Sequence, residues 1–309
     1  MNKPKISTLE LKIVYLIKSK VEMRNIYEVI KGSLHFKKFT IDELVCVEYT
    51  CPLEDEHLGV FAQHDYIIHV LSGMKKWKTV HGEWEVRAGD TLFVKKGAAV
   101  ITQDFDQDFC MLGFFMPDEL IKESLQDYVS SQKDLPRIQR NVFTATLLAK
   151  ENYLDGFFQS MLNYFRGEQD PPDSIIRLKL QELLINIMHN SKDEKLLSYI
   201  SELTRNSNPS LTHIMENNYC FNLSMDEFAN LTHRSLSTFK RDFFNHYGTT
   251  PGKWLLSRRL DHAASMLLVD ASNVTQVAFE SGFEDNSHFS RVFKDQFGIS
   301  PSKYVGETI

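Results

Sequence analysis

The spacing of apolar positions changes character twice along these 309 residues. From Tyr27 to about Met116 they come in short β-rich runs, at 44–49, 66–71, 77–80, 84–86, 91–94, 99–102 and 109–115. Ser72-Gly73, His81-Gly82 and Ala88-Gly89-Asp90 punctuate the runs with turn chemistry. Many short strands this close together predict a β-sandwich or small barrel. From Pro117 to Leu203 the spacing turns helical, over 118–129, 153–165 and 175–188, with Pro171-Pro172-Asp173 as the stop and restart between the last two. In 175–188, Ile176, Leu178, Leu180, Leu183, Leu184, Ile187 and Met188 make an apolar face broader than a surface helix needs. Packing on the strands and a dimer interface both explain it.

After the polar run Arg205-Asn206-Ser207-Asn208-Pro209, which reads as a hinge, one pattern occurs twice. Ser237-Thr238-Phe239-Lys240-Arg241-Asp242-Phe243-Phe244, running on to Tyr247-Gly248, Pro251 and Lys253-Trp254, is echoed by a second stretch. That stretch is Ser287-His288-Phe289-Ser290-Arg291-Val292-Phe293-Lys294, running on to Phe297-Gly298, Pro301 and Lys303-Tyr304. One small supersecondary unit is used twice. In the first copy Ser224-Met225-Asp226-Glu227 is a capping box that opens a short helix through Phe228, Ala229 and Leu231. A turn at Thr232-His233-Arg234 follows, and Ser235 caps a second helix that buries Leu236, Phe239, Phe243 and Tyr247. Gly248 ends it and Thr250-Pro251 starts the next. The second copy repeats the steps with Asn273 as cap, Gln276 three residues on, Val277-Ala278 and a turn at Gly282. Its longer helix runs from Asn286 and buries Phe289, Phe293 and Phe297. Short helix, tight turn and longer amphipathic helix make a helix-turn-helix, whose second helix lies in the major groove of DNA.

The faces left free are Ser237, Thr238, Lys240, Arg241 and Asn245 on the first such helix, and Asn286, Ser287, Ser290, Arg291 and Lys294 on the second. Short hydrogen-bonding groups beside two cations suit base edges and phosphates. Any surface helix carries some such residues; the matched copies are what favour DNA. Between the copies, 251 to about 268 reads as one helix carrying Trp254, Leu255, Leu260, Ala263, Ala264, Met266 and Leu267. At 1.5 Å per residue it is on the order of 27 Å long, a spacer that sets two reading helices about one DNA turn apart. One chain then spans two successive major grooves.

The stretch from Asn273 to Tyr304 resembles the signature of the AraC/XylS family of bacterial transcription regulators, above all in Val277-Ala278, Ser281-Gly282-Phe283-Glu284-Asp285-Asn286-Ser287-His288-Phe289-Ser290-Arg291-Val292-Phe293-Lys294 and Phe297-Gly298-Ile299-Ser300-Pro301-Ser302-Lys303-Tyr304. The resemblance implies a domain of seven helices with two helix-turn-helix units, binding asymmetric sites near promoters and usually activating transcription. By position it carries Ser237, Lys240 and Arg241 of the first unit, and Asn286, Ser287, Ser290 and Arg291 of the second, onto the places from which family members reach DNA. Ser235, Thr238, His288 and Lys294 complete the candidate set. Phe239 stands where leucine is commoner and Asp242 where a hydrophobic or small residue is usual, which leaves the target sequence open. Ahead of this domain, Ala88-Gly89-Asp90-Thr91-Leu92-Phe93-Val94-Lys95-Lys96-Gly97 is similar to the second motif of cupin barrels, as found in the family's sensory domains. Val70-Leu71-Ser72-Gly73, 88–97 and 111–117 together look like the N-terminal domain of its type III secretion activators. There the domain serves self-association and contact with a regulatory protein rather than sugar binding.

A net charge of −6 argues against a nucleic-acid field over the whole chain. Even within 208–309, nine Lys/Arg meet eleven Asp/Glu, so the cations are concentrated rather than abundant. Cys46, Cys51, Cys110 and Cys220 lack paired metal spacing and read as buried thiols of a reducing compartment. No segment is apolar for long enough to span a membrane, and the run at 13–17 is too short for a signal peptide. Met23 is an alternative start. A metal cupin needs histidines and a carboxylate from two motifs; His64, His69 and His81 are the nearby imidazoles and none follows Gly89-Asp90. No metal or cofactor is expected, and each histidine reads as solvated. Phe61, Trp77, Trp84, Phe93 and Phe105 suit a pocket lining or a core equally.

The expectation is an α+β chain of two domains. It comprises an extension over 1–24, a cupin-like sensory β-barrel over 25–116, a helical connector or dimerisation segment over 117–204, a linker over 205–209, and an all-α DNA-binding domain with two helix-turn-helix motifs over 210–309. Such a chain is a cytoplasmic, sequence-specific transcription regulator, an activator by family resemblance. Its partners are double-stranded DNA, RNA polymerase, a second copy of itself, and a small effector or regulatory protein at the N-terminal domain. The rival is a cupin-type metal enzyme with an appended helical domain, which predicts a bound transition metal and turnover.

Overall fold

The computed structural model describes residues 23–50, 57–103, 108–132, 143–205, 210–269 and 273–304. Contacts gather them into an N-terminal unit, Met23–Asn217 with Asp226–Ser235, and a C-terminal unit, Asn218–Met225 with Leu236 onward. Two sheets form the base of the N-terminal unit. β1 (Arg24–Asn25), β4 (His57–Ala62), β6 (Met74–Thr79), β7 (Gly82–Arg87) and β9 (Gly97–Gln103) make a five-stranded sheet in the order β1-β4-β9-β6-β7. β2 (Lys37–Ile41), β3 (Leu44–Thr50), β5 (Asp65–Ser72), β8 (Thr91–Val94), β10 (Cys110–Met116) and β11 (Ala145–Leu147) make a six-stranded sheet in the order β11-β8-β5-β10-β3-β2. Among the described residues the pairings are antiparallel except β1 with β4.

Successive strand residues point to opposite faces, and the six-stranded sheet is covered on both. Tyr66, Ile68 and Val70 share a core with Val60, Trp77, Val86, Ala99 and Ile101 of the other sheet. Ile67, Phe93, Leu112, Phe114 and Met116 face the opposite way, into a core shared with helices. This double burial is why β5 is buried at every position from Asp65 to Val70 rather than at alternate ones. The cupin-like layer thus takes the form of two facing sheets.

α1 (Ile26–Gly32) is opened by Asn25, whose side chain accepts the Glu28 N–H. α2 (Asp118–Ser131), α3 (Asn152–Arg166), α4 (Asp173–Asn190) and α5 (Glu194–Arg205) bury Leu125, Phe157, Phe158, Leu180, Leu183, Ile187 and Leu196 in the core shared with the six-stranded sheet. The broad apolar face of α4 is taken up by α2 and α3, and Leu178, 60% exposed, is what remains outside. Sheets and connector helices share one core. The strand and helix runs read from spacing all fall on elements, while β1, β2, β4, β11, α1, α5 and a helix α6 (Leu211–Asn218) were not delimited. Among the described residues no helix is long and apolar enough to cross a membrane.

α7 (Met225–Leu231) lies almost wholly in the N-terminal unit. The C-terminal unit holds α8 (Leu236–Tyr247), α9 (Pro251–Val269), α10 (Val274–Glu280), α11 (Asn286–Phe297) and α12 (Pro301–Tyr304). α9 runs unbroken and packs against α8, α10 and α12. Leu260, Ala263, Ala264 and Leu267 of α9 meet Val277 and Ala278 of α10 and Phe289 and Phe293 of α11. The sequence repeat is also a packing repeat. Phe243 lies 4.5 Å from Tyr247 and 5.8 Å, edge-on, from Trp254; Phe293 lies 4.5 Å from Phe297 and 5.2 Å, edge-on, from Tyr304. Such ring pairs add about 0.5–1.5 kcal/mol each beyond their buried area, so each longer helix is held down by its own aromatic triad.

Candidate nucleic-acid interface

The turn after α7 is closed by backbone hydrogen bonds from Thr232 N–H to the Phe228 carbonyl at 3.2 Å and from Arg234 N–H to the Ala229 carbonyl at 3.0 Å. It reverses through His233 at φ +54°, a left-handed conformation costing about 1–2 kcal/mol for a residue with a β-carbon. The second copy makes the matching bond from Phe283 N–H to the Ala278 carbonyl at 3.0 Å and places Gly282 at φ +89°. A β-carbon on Gly282 would also lie 2.6 Å from the Cys220 carbonyl oxygen and 2.9 Å from Arg259 Nε. Arg259 on α9 donates from Nε to the Tyr219 carbonyl at 2.6 Å and from Nη2 to the Phe221 carbonyl at 2.8 Å. Burial presses its guanidinium below the usual arginine range. Asn222 donates to Glu284 across the same junction. Residues 219–223 are therefore a strap over the turn of the second helix-turn-helix, which sequence reasoning missed. Its one sequence trace is an arginine within the apolar stretch of α9.

α10 begins at Asn273, whose side chain accepts Thr275 and Gln276 N–H at 3.1 and 3.2 Å. The helix α11 starts at Asn286 as its spacing predicted, and Asp285 caps it, accepting the His288 N–H. Asn286, read as an outward contact, is half-buried: its amide donates to Thr275 Oγ1 at 3.1 Å, and its Oδ1 is buried with no partner among the described residues. It ties α10 to α11. The other candidates lie at the surface. Ser235, Ser237, Lys240 and Arg241 are exposed with Thr238 half-buried, and Ser287, His288, Arg291 and Lys294 are exposed with Ser290 half-buried. Beneath them Phe239, Phe243, Phe289 and Phe293 are fully buried, while Leu236, Tyr247 and Phe297 are half-buried. Gly248 at φ +67° and Gly298 at φ +81° end the two helices. Arg241 sits 3.5 Å from Asp242 Oδ1, so part of its charge is offset; the matching neighbour of Arg291 is Val292.

Two of the histidines expected in solvent, His64 and His69, are buried, while His81 is exposed. His69 stacks on Phe158 at 3.9 Å and bonds Thr91 Oγ1 at 3.0 Å; His64 meets Tyr27 edge-on at 4.6 Å. Burial lowers the pKa of both to about 4. His81 Nε2 lies 3.1 Å from Asn217 Oδ1. Among the described residues no group of three His, Cys, Asp or Glu could hold a metal ion. Phe61, Trp77 and Phe93 are buried and Trp84 packs on the inter-sheet core, whereas Phe105 lies outside the described residues. Cys46 is buried, which pushes its thiol pKa up; Cys110 and Cys220 are half-buried thiols outside any disulfide, and Cys51 lies outside the described residues. The motif 88–97 carries a polar core instead. Lys96 Nζ holds both Asp118 oxygens at 2.5 Å, and Asp65 accepts the Lys96 N–H at 2.7 Å and the Tyr199 hydroxyl at 2.6 Å. Lys95, its pKa lowered to about 8 by burial, lies over the rings of Tyr199 and Phe143 at 4.2 and 5.0 Å.

Residues 65–199 match a family model described as the ExsA N-terminal regulatory domain, and 228–307 match one described as a helix-turn-helix domain. The virulence regulon transcriptional activator VirF of Yersinia enterocolitica is 25% identical over 265 residues, 84% of this chain and 95% of that protein. The transcriptional regulator ExsA of Pseudomonas aeruginosa is 25% identical over 234 residues, 76% of this chain and 83% of its own. A crystal structure of ToxT from Vibrio cholerae aligns over 85% of this chain and 98% of its own, at 14% identity and a TM-score of 0.38.

Proposed function

This chain belongs to the AraC/XylS type of helix-turn-helix transcription regulators, with a regulatory domain ahead of its DNA-binding one, and we propose that it grips one asymmetric duplex site with α8 and α11 in successive major grooves. The observation that carries this reading is the matched pair Arg241 and Arg291, exposed at the same place on two helices that each rest on an equivalent aromatic triad. Each reads a guanine edge or clasps a phosphate. Ser235, Ser237, Thr238 and Lys240 flank the first; Ser287, His288, Ser290 and Lys294 flank the second, with Asn286 fixing the angle at which α11 leaves its turn. Binding recruits RNA polymerase and activates transcription in the cytoplasm. The N-terminal unit receives a small effector or a regulatory protein and joins two copies of the chain.

The test is selection of bound duplexes from a random pool by the full chain, followed by footprinting of the winners. The expected footprint has two major-groove patches on one face, about 10 base pairs apart. A single patch, or no selected sequence, refutes the reading. Repeating the footprint with candidate small molecules or a co-purifying protein identifies what the N-terminal unit answers to.

A further inference from the structure

Resting on the reading above, we propose that Phe244 is a specificity-determining residue, whose ring contacts thymine C5-methyl groups in the groove entered by α8. Phe244 is 54% exposed, while Phe239, Phe243, Phe289 and Phe293 are fully buried in the same repeat. In the C-terminal unit Leu268 and Phe279 are also large, apolar and exposed, but neither lies on a reading helix. Phe244 does, and on the reading face. Seven residues at about 100° each bring position 244 back to within about 20° of Ser237, with Arg241 about 40° to the other side of Ser237.

An amphipathic helix leaves polar side chains on such a face, and the second copy does so, with Lys294 in the matching place. More than half of the Phe244 surface is left in solvent rather than in the core beneath it. A duplex offers one apolar feature in its major groove, the thymine methyl, and phenylalanine is among the side chains that meet it. Lys240 and Arg241 beside the ring supply the charge complementarity that brings this face onto a polyanion. The two helices therefore read different chemistry: α8 a methyl, α11 a further phosphate or guanine through Lys294.

The test uses the full-length protein and a duplex it selects. Each thymine is replaced in turn by uracil, which removes the methyl and nothing else. With the unmodified protein, uracil is expected to weaken binding about fourfold at one or two positions in the α8 half of the site, the effect of one lost methyl contact. Phe244→Ala is expected to weaken binding to the thymine duplex and to be indifferent to uracil there. Phe244→Leu restores the sensitivity. A flat uracil scan by a protein that still binds selectively overturns the inference and leaves the DNA reading standing. So does a Phe244→Ala variant that keeps the same sensitive positions, or one that loses only transcription, which points to a protein partner. A chain that selects no sequence defeats both.

Discussion

Replacing Gly282 with alanine is expected to unseat the second helix-turn-helix, through a cost that its surroundings define. At φ +89° the new side chain occupies a left-handed conformation, which costs about 1–2 kcal/mol. Its β-carbon also arrives 2.6 Å from the Cys220 carbonyl oxygen and 2.9 Å from Arg259 Nε, so the strap or the guanidinium must move. That guanidinium donates to Tyr219 and Phe221, and a hydrogen bond of a charged group contributes about 1.5–3 kcal/mol. Losing one of them brings the total to about 2.5–5 kcal/mol. Gly298→Ala is the control, since Gly298 sits at φ +81° with nothing within 4 Å of an added β-carbon and bears only the backbone term. The assay is urea unfolding of the full chain followed by hydrogen exchange in peptides of α9, α10 and α11, which separates this unit from the sheets. Gly282→Ala is expected to lose protection at clearly lower urea than Gly298→Ala. Equal losses refute the close approach, and with it the role of 219–223 as a strap.

Arg241→Ala and Arg291→Ala are each expected to weaken binding of a selected duplex by about 1–3 kcal/mol with relaxed preference at one base, or uniformly with a salt slope lower by about one if the partner is a phosphate. Fluorescence anisotropy at several salt concentrations distinguishes these outcomes, and unchanged binding in both variants refutes the pairing of the two helices. Lys96→Met leaves Asp118 buried without its cation and is expected to destabilise the N-terminal unit by about 3–5 kcal/mol. Lys96→Met combined with Asp118→Leu is expected to cost far less in urea denaturation, and equal losses refute the argument. His64 and His69 stay neutral in the folded chain down to about pH 4, whereas unfolded histidine takes up a proton below 6.5. The unfolded state therefore binds more protons between these values, so their contribution is full above pH 6.5 and is lost as pH falls toward 4. Each histidine accounts for about 3 kcal/mol at most. His69→Gln is expected to flatten the decline measured by thermal unfolding between pH 7 and 4.5, and an unchanged slope refutes the assignment.

The reading helices were legible because everything that makes them is local. Cap, apolar period and terminating glycine all fall within about a dozen residues, and the second copy repeats them. β2 escaped because Lys37-Lys38-Phe39-Thr40-Ile41 is an edge strand with two lysines, and β4 because Gly59 interrupts its apolar run. The burial of His69 was invisible, since Thr91 and Phe158 come to it from distant parts of the chain. Arg259 and the strap likewise depend on contacts about forty residues apart that leave no period in the sequence. The apolar face of α4 was seen, but spacing cannot name what packs on it; within the chain that is α2 and α3.

Because Phe243, Tyr247 and Trp254 buttress one helix and Phe293, Phe297 and Tyr304 the other, each half of the grip has its own foundation. Lettering on one half can be rewritten without disturbing the footing of the other. On the proposed two-groove reading, promoters served by such a protein are free to drift one half-site at a time, with the opposite half keeping the complex in register while the change is absorbed.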